Sequence, residues 1–225
     1  MPDFDIVKKS DIDKSARVAI VMGDYDVALD HANEHFKGSI DLPAEWSVGV
    51  IVGPSGTGKT TIAKEVFGDA YIKKFDYTHK SVIDDMPENC DTKAIEKMFY
   101  SVGFGSVPSW LKPYSVLSNG EKMRVDLARA LLEKDEVVFD EFTSVVDRNV
   151  ANTACLAIRK ALKNTKKKFV AISCHYDILD WIEPDWVFDT ETMQTFFQNA
   201  RTLKKAIPSE DAGVKSGESL GVITI

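Results

Sequence analysis

The 225-residue chain is 44% hydrophobic and 28% charged, and 28 Lys+Arg against 35 Asp+Glu give a formal net charge of −7. This composition excludes wholesale disorder and supports one sizeable core, while the acidic balance excludes a nucleic-acid coat over the whole surface and leaves only a local basic patch open. No stretch reaches the roughly 18 uninterrupted apolar residues of a membrane span, and Met1-Pro2-Asp3-Phe4-Asp5-Ile6 lacks an apolar leader core behind early basic residues, so the expected address is cytoplasmic with no direct membrane insertion.

In chain order, the β-branched runs Arg17–Met22 and Ser47–Val52 read as strands. A glycine-rich turn follows the second, and then Lys59–Phe67, a helical stretch closed by Gly68. Helices are expected over Thr92–Val102, Asn119–Leu132 and Arg148–Lys163, the last with Ala154, Ile158, Ala161 and Leu162 at helical spacing. Gly103–Trp110 reads as a loop. Val137–Phe139 and Lys168–Ser173 are short apolar runs after helical patterns and read as buried strands, and Trp186–Asp189 with Thr195–Phe197 as a hairpin. Strands alternating with helices imply an α/β fold with a mainly parallel sheet. Pro208–Gly221 is Ser-, Gly- and charge-rich and reads as a flexible tail. Cys90, Cys155 and Cys174 are far apart and odd in number, which suggests reduced core or half-buried thiols and neither a disulfide framework nor a zinc site.

The turn Gly53-Pro54-Ser55-Gly56-Thr57-Gly58-Lys59-Thr60 matches GxxxxGK[ST] between an expected strand and an expected helix, the setting of a P-loop. Glycines let the backbone curl with its N–H groups facing phosphate oxygens, and the helix N-terminus adds a favourable dipole. Lys59 is placed to reach the β- and γ-phosphates, and Thr60 to offer a hydroxyl to Mg²⁺. Four fixed positions recur by chance in roughly one chain in a hundred of this length, so a mere glycine turn is a poor alternative. A phosphate cradle alone does not separate kinases, GTPases and ATPases.

Further on, Leu117-Ser118-Asn119-Gly120-Glu121 opens a well-capped helix, Val137-Val138-Phe139-Asp140-Glu141 ends an apolar strand in two carboxylates, Ser144–Asp147 follows, and His175 comes just past the Lys168–Ser173 strand. This ordered set resembles the ATP-binding-cassette (ABC) family: Walker A at Gly53–Thr60, a signature at Leu117–Glu121, Walker B at Val137–Asp140 with Glu141 beside it, a D-loop at Ser144–Asp147 and a switch histidine at His175. The phrases around Ser118, Asp140 and His175 are most similar to stand-alone bacterial and phage cassettes related to those fused to a GNAT-type acetyltransferase. The resemblance implies a P-loop NTPase with an antiparallel β portion and a compact helical signature subdomain at about 80–132, within an ATPase domain over 1–205 and before a tail at 206–225. It implies ATP and Mg²⁺ as cofactors, with nucleotide contacts from Gly53 to Thr61 and from Ser118, Asn119, Gly120, Glu121 and Asp147. Thr60 and Asp140 would hold the metal, and Lys59, Glu141 and His175 would act on the γ-phosphate and the attacking water. Two copies would stack head to tail, each signature helix facing the nucleotide of the other, so a homodimer is expected.

The chain departs from transporter-type cassettes, which carry a glutamine between P-loop and signature; its only glutamines, Gln194 and Gln198, lie beyond His175. Asp76 and His79 are candidates for that place, and Tyr25 or Phe36 for an adenine platform. The 56 residues from Thr61 to Val116 cannot house long coiled-coil arms. Asn119 and Glu121 stand where the signature usually has glycine and glutamine, which suggests slow or partner-stimulated hydrolysis. The six positive charges from Arg159 to Lys168 read as a solvated helix end. The preferred expectation is a conformational switch acting on a protein or nucleic-acid partner; the alternatives are the energising subunit of a membrane transporter and, third, a P-loop kinase.

Overall fold

In the computed structural model, which describes residues 2–9, 15–26, 33–163 and 165–197, the site is carried by a five-stranded sheet of order β4-β5-β3-β6-β7. Its strands are β3 (Val48–Val52), β4 (Glu136–Phe139), β5 (Lys168–Ser173), β6 (Trp186–Asp189) and β7 (Gln194–Phe197). The first four run parallel, and β7 turns back antiparallel on β6. The expected α/β class and mainly parallel sheet are therefore found.

Both faces of the sheet are covered, which is why β3 is buried throughout. Val48, Val50 and Val52 enter the core beneath α3 (Thr92–Ser101), α5 (Asn119–Glu133) and α6 (Arg148–Leu162), while Ile51 faces the opposite core with Ile62 and Ala63 of α2 (Lys59–Phe67). Gly49 shares that second face. A Cβ there would lie 2.1 Å from the ring of its cross-strand neighbour Trp186, so only glycine lets the indole lie across the sheet against Phe67 and Trp46.

The antiparallel portion is a hairpin of β1 (Asp3–Lys9) and β2 (Asn33–Ser39). Phe4 and Phe36 point into the second core, and Asp5, His35 and Lys37 pair across the outer face. Between the two strands lies a correction. Residues 17–22 form part of helix α1 (Ala16–Tyr25), capped by the Ser15 side chain accepting from the Val18 N–H, and not a strand. The apolar run has no alternation to fix a strand period, and a local cap decides for helix. The expected loop Gly103–Trp110 likewise contains one helical turn, α4 (Val107–Trp110), started by Pro108 and anchored by buried Trp110, whose indole N–H donates to the Phe104 carbonyl at 2.8 Å. A short helix α7 (Ile178–Ile182) follows β5. The expected tail at 206–225 lies outside the described residues. No helix among the described residues is long and apolar enough to cross a membrane.

The segment after α2 is tied to α5 by a polar cluster. Half-buried Asp126 accepts from the hydroxyls of Tyr77 (2.7 Å) and Tyr114 (2.8 Å), whose rings stack at 3.9 Å, while the Arg129 guanidinium covers Phe75 and Tyr77. Burial pushes the Asp126 carboxyl above its ordinary value, outweighing the two phenol donors, and burial with the nearby carboxylate pushes both phenols up. A raised native value means the folded state holds the proton more tightly, so stability is lost as pH rises through the carboxylate range. Asp126→Asn should therefore gain on the parent chain as pH rises from about 3 to 7, and Asp126→Ala, which strands two phenols, should lose about 2 kcal/mol. Urea unfolding across that pH range checks both.

Candidate nucleotide site

The P-loop leaves β3 and enters α2 through Gly58, which caps the helix in the left-handed region at φ 82°. The ring of Phe36 packs beneath it. This buries Phe36 to 8% exposure and leaves it no open face for an adenine, so that expectation is corrected: Phe36 supports the loop from the core. Tyr25 is 76% exposed on α1.

A cavity of about 380 Å³ is lined by Ser55, Gly56, Gly58, Lys59, Thr60 and Thr61, with Asp140, Glu141, Ser144, Ser173 and Cys174 opposite and the β1–β2 hairpin at its rim through Lys8 and Glu34. The Lys59 ammonium is held by the carbonyls of Gly53 (2.7 Å) and Pro54 (2.6 Å), and burial lowers its pKa against the raising effect of Cys174 and Asp140. Thr57 closes the loop by donating to the Pro54 carbonyl and by meeting the Thr190 hydroxyl at 2.5 Å. Cys174, expected in or near the core, is exposed at the cavity wall, whereas Cys90 is half-buried and Cys155 buried.

Asp140 and Glu141 sit where β4 ends. Thr60 donates to Asp140 Oδ2 at 2.8 Å, and the Glu141 N–H donates to Oδ1 at 2.8 Å. Glu141 is exposed and adopts φ 51°, a left-handed conformation that a non-glycine residue keeps only when its surroundings enforce it. Enforcement comes from Phe142, fully buried, whose N–H donates to the Ile172 carbonyl at 2.8 Å. The donor set of one hydroxyl and one carboxylate at a phosphate cavity fits Mg²⁺, which takes oxygen ligands from one or two protein groups together with phosphate. No cluster of three His, Cys, Asp or Glu able to hold a metal occurs among the described residues, so a cage built from protein carboxylates, imidazoles and thiolates is not what this site offers.

His175 lies just beyond β5 with its N–H on the Ser173 hydroxyl at 3.0 Å; Ser173 and Cys174 line the cavity and the imidazole does not. Ser118, Asn119 and Gly120 open α5 and do not line this cavity; Asn119 lines a second one that shares Asp140 and Glu141 with it. Ser118 and Glu121 form a capping box, and Glu121 also accepts from Ser109 at 2.7 Å, a bond that, with those from Ser118, holds its carboxyl below the usual range. The Asp147 side chain accepts from the N–H groups of Asn149 and Val150 and caps α6. Neither Asp76 nor His79 lines the cavity: the Asp76 carbonyl accepts from Arg129 at 2.9 Å, and His79 is paired with Asp85. The group that does reach the site from this segment is Tyr71, whose hydroxyl donates to Asp140 Oδ2 at 2.6 Å. No sequence motif marks it; a parallel bridge between Tyr71 and Val138, two residues before Asp140, brings it there.

Comparison with known proteins places these features in a wider group. A model of the ATPase family associated with various cellular activities (AAA) matches residues 50–184. The energy-coupling factor transporter ATP-binding protein EcfA1 of Staphylococcus aureus is 25% identical over 233 aligned positions, covering 81% of this chain and 84% of that protein. Among solved structures, cbiO1 from Clostridium perfringens, described as part of the ABC transporter complex cbiONQ, superposes with a TM-score of 0.59 at 19% identity, covering 78% of this chain and 86% of that one. The dimeric ABC transporter cassette MJ0796 does so with a TM-score of 0.54 at 14% identity over 69% of this chain and 87% of that one. At these identities the solved structures speak for the fold.

Proposed function

The chain belongs to the ABC-type P-loop ATPases and hydrolyses ATP, and from that premise we propose that it holds Mg-ATP between the P-loop of one copy and the α5 N-terminus of another, and that closure of this seam drives a membrane-embedded transporter partner. In this reading the P-loop N–H groups and Lys59 neutralise the phosphates, and Thr60 and Asp140 hold Mg²⁺. The metal, when bound, supplies charge stabilisation on the phosphate oxygens. Glu141, held outward by its strained backbone, orients the attacking water, and His175, whose imidazole lies outside the cavity of a single copy, reaches the γ-phosphate only as the seam closes. Ser118, Asn119 and Gly120 offer hydroxyl and N–H donors at a helix N-terminus to the nucleotide of the other copy. The carboxylate of Glu121 is engaged in the cap and holds that turn in shape.

The observation that carries the transporter reading is the relationship to EcfA1, which spans most of both chains; it ranks this reading above the stand-alone switch that the motif phrases favoured. The structure also offers a place for a partner: a cavity of about 430 Å³ bounded by Lys73, Lys74 and Phe75 on one side and Lys122 and Met123 of α5 on the other, with Asp140 and Glu141 at its end. A segment seated there would touch both the hydrolytic carboxylate and the signature helix. The second reading, a switch acting on a soluble protein or nucleic acid and akin to the stand-alone bacterial and phage cassettes, is supported by the absence of any glutamine between Thr61 and Val116. Tagged chain recovered from detergent-solubilised native cells is expected to bring a polytopic membrane protein in near-equal amount, and that protein should stimulate ATP turnover. Recovery with soluble protein or nucleic acid alone would establish the switch instead.

A further inference from the structure

Asp140 is held by more than the nucleotide motifs provide. Its Oδ2 accepts from both Thr60 (2.8 Å) and Tyr71 (2.6 Å), and its Oδ1 from the Glu141 N–H (2.8 Å). Tyr71 is itself fixed from several sides. It follows the 3-10 turn Gly68–Ala70 after α2, its backbone forms a parallel bridge with Val138, and the next N–H, of Ile72, donates to the Val138 carbonyl at 2.9 Å. Above its ring sits the ammonium of Lys64, 4.9 Å from the centroid and one helical turn along α2 from Thr60. The ring is thus set between the helix that carries Thr60 and the strand that leads into Asp140. No other described residue between α2 and α5 hydrogen-bonds to Asp140.

A carboxylate torsion is broad and nearly two-fold, so one neighbouring hydroxyl does not fix the plane of an aspartate. Thr60 is a poor sole anchor for a second reason: it is the other half of the pair expected to meet the metal, its hydroxyl giving a lone pair to the cation while it donates to Asp140, so its position is shared between two partners. Tyr71 has no such double duty. Among the described residues its hydroxyl makes one hydrogen bond, as donor to Asp140 Oδ2 at 2.6 Å.

We propose that Tyr71 is a positioning residue for the metal-binding pair: it keeps Asp140 Oδ2 aimed at the Thr60 hydroxyl, so that Mg²⁺ meets a carboxylate already in place. This rests on the assignment of Thr60 and Asp140 to Mg²⁺ above and adds to it a residue outside every motif. Tyr71→Phe keeps the ring and its contact with Lys64 and removes only the donor. The test is the ratio of affinities for a fluorescent ATP analogue in Mg²⁺ and in EDTA, with the thermal midpoint in EDTA recorded beside it. Tyr71→Phe should weaken the Mg²⁺ complex about tenfold, the scale of one hydrogen bond to a charged group, leave the EDTA affinity within about twofold, and recover as Mg²⁺ is raised. A merely structural tyrosine would lower both affinities together or neither, and an unchanged ratio overturns the proposal. Thr60→Ala and Asp140→Asn separate the two claims: if those variants leave the Mg²⁺ advantage of the parent intact, the metal assignment fails and this inference with it; if they abolish it and Tyr71→Phe does not, only the inference fails.

Discussion

Glu141→Gln is expected to lower steady-state ATP hydrolysis by a factor of about 10²–10³, while ATP affinity changes less than about threefold. The substitution is isosteric and removes only the charge that polarises water. It leaves the turn standing, because what forces Glu141 to φ 51° is the burial of Phe142 and its N–H bond to Ile172, and because the Asp140 bond uses the backbone N–H of residue 141. Binding and hydrolysis therefore separate. With ATP bound and not consumed, the γ-phosphate goes on supplying the contacts that distinguish a closed pair of copies from two free ones, and the population shifts to the pair. Light scattering should report 25.0 kDa particles without nucleotide and particles of twice that mass with Mg-ATP. Undiminished turnover would remove Glu141 from the chemistry. Slow turnover without dimers would leave the residue its role and refute the two-copy seam.

The parts of this fold legible in the sequence are those in which one residue's neighbours decide its state. The β-branched run Ser47–Val52 reads as a strand because a glycine-rich turn cuts it off, and Lys168–Ser173 because it is short and apolar after a helical pattern; both are found with matching limits or within one residue. Gly68 ends α2 and Asp91 caps α3 through local bonds that residue types announce. The hairpin of β1 and β2 was not legible, since Asn33–Ser39 has no β-branched residue and is held by charge pairs with residues about thirty positions away. Its neighbour α1 failed in the opposite sense, because an apolar β-branched run has no period of its own. At the site, Thr60, Asp140 and Glu141 announced themselves by motif and are gathered around one cavity. Phe36 and Tyr71 did not: one supports Gly58 from a different sheet, the other reaches Asp140 from a loop, and both depend on contacts that only the tertiary arrangement makes.

That dependence gives the second large expectation: Gly58→Ala should weaken ATP binding by more than about a hundredfold while the chain stays folded. Two effects combine at this position. A side chain at φ 82° costs about 1–2 kcal/mol in any protein. The added Cβ would also lie 2.5–2.8 Å from three atoms of the Phe36 ring, closer than packed atoms approach. Phe36 cannot swing aside, being 8% exposed in a core shared with Phe4 and Phe188, and its strand is registered residue by residue against β1. The P-loop is the softer partner, so its backbone moves, and with it the N–H groups that must all face the phosphates. Gly68→Ala provides the comparison. It also has positive φ, 46°, with ψ −110°, but nothing within 4 Å of the added carbon, so it should cost about 1–3 kcal/mol of stability with ATP affinity intact. If the collision rather than the backbone conformation is the cause, shortening the ring in Gly58→Ala/Phe36→Leu should restore part of the lost affinity, although Phe36→Leu alone is mildly destabilising. Isothermal titration with Mg-ATP on the four proteins decides it: equal losses in Gly58→Ala and the double variant would mean that the hairpin does not hold the phosphate loop in shape.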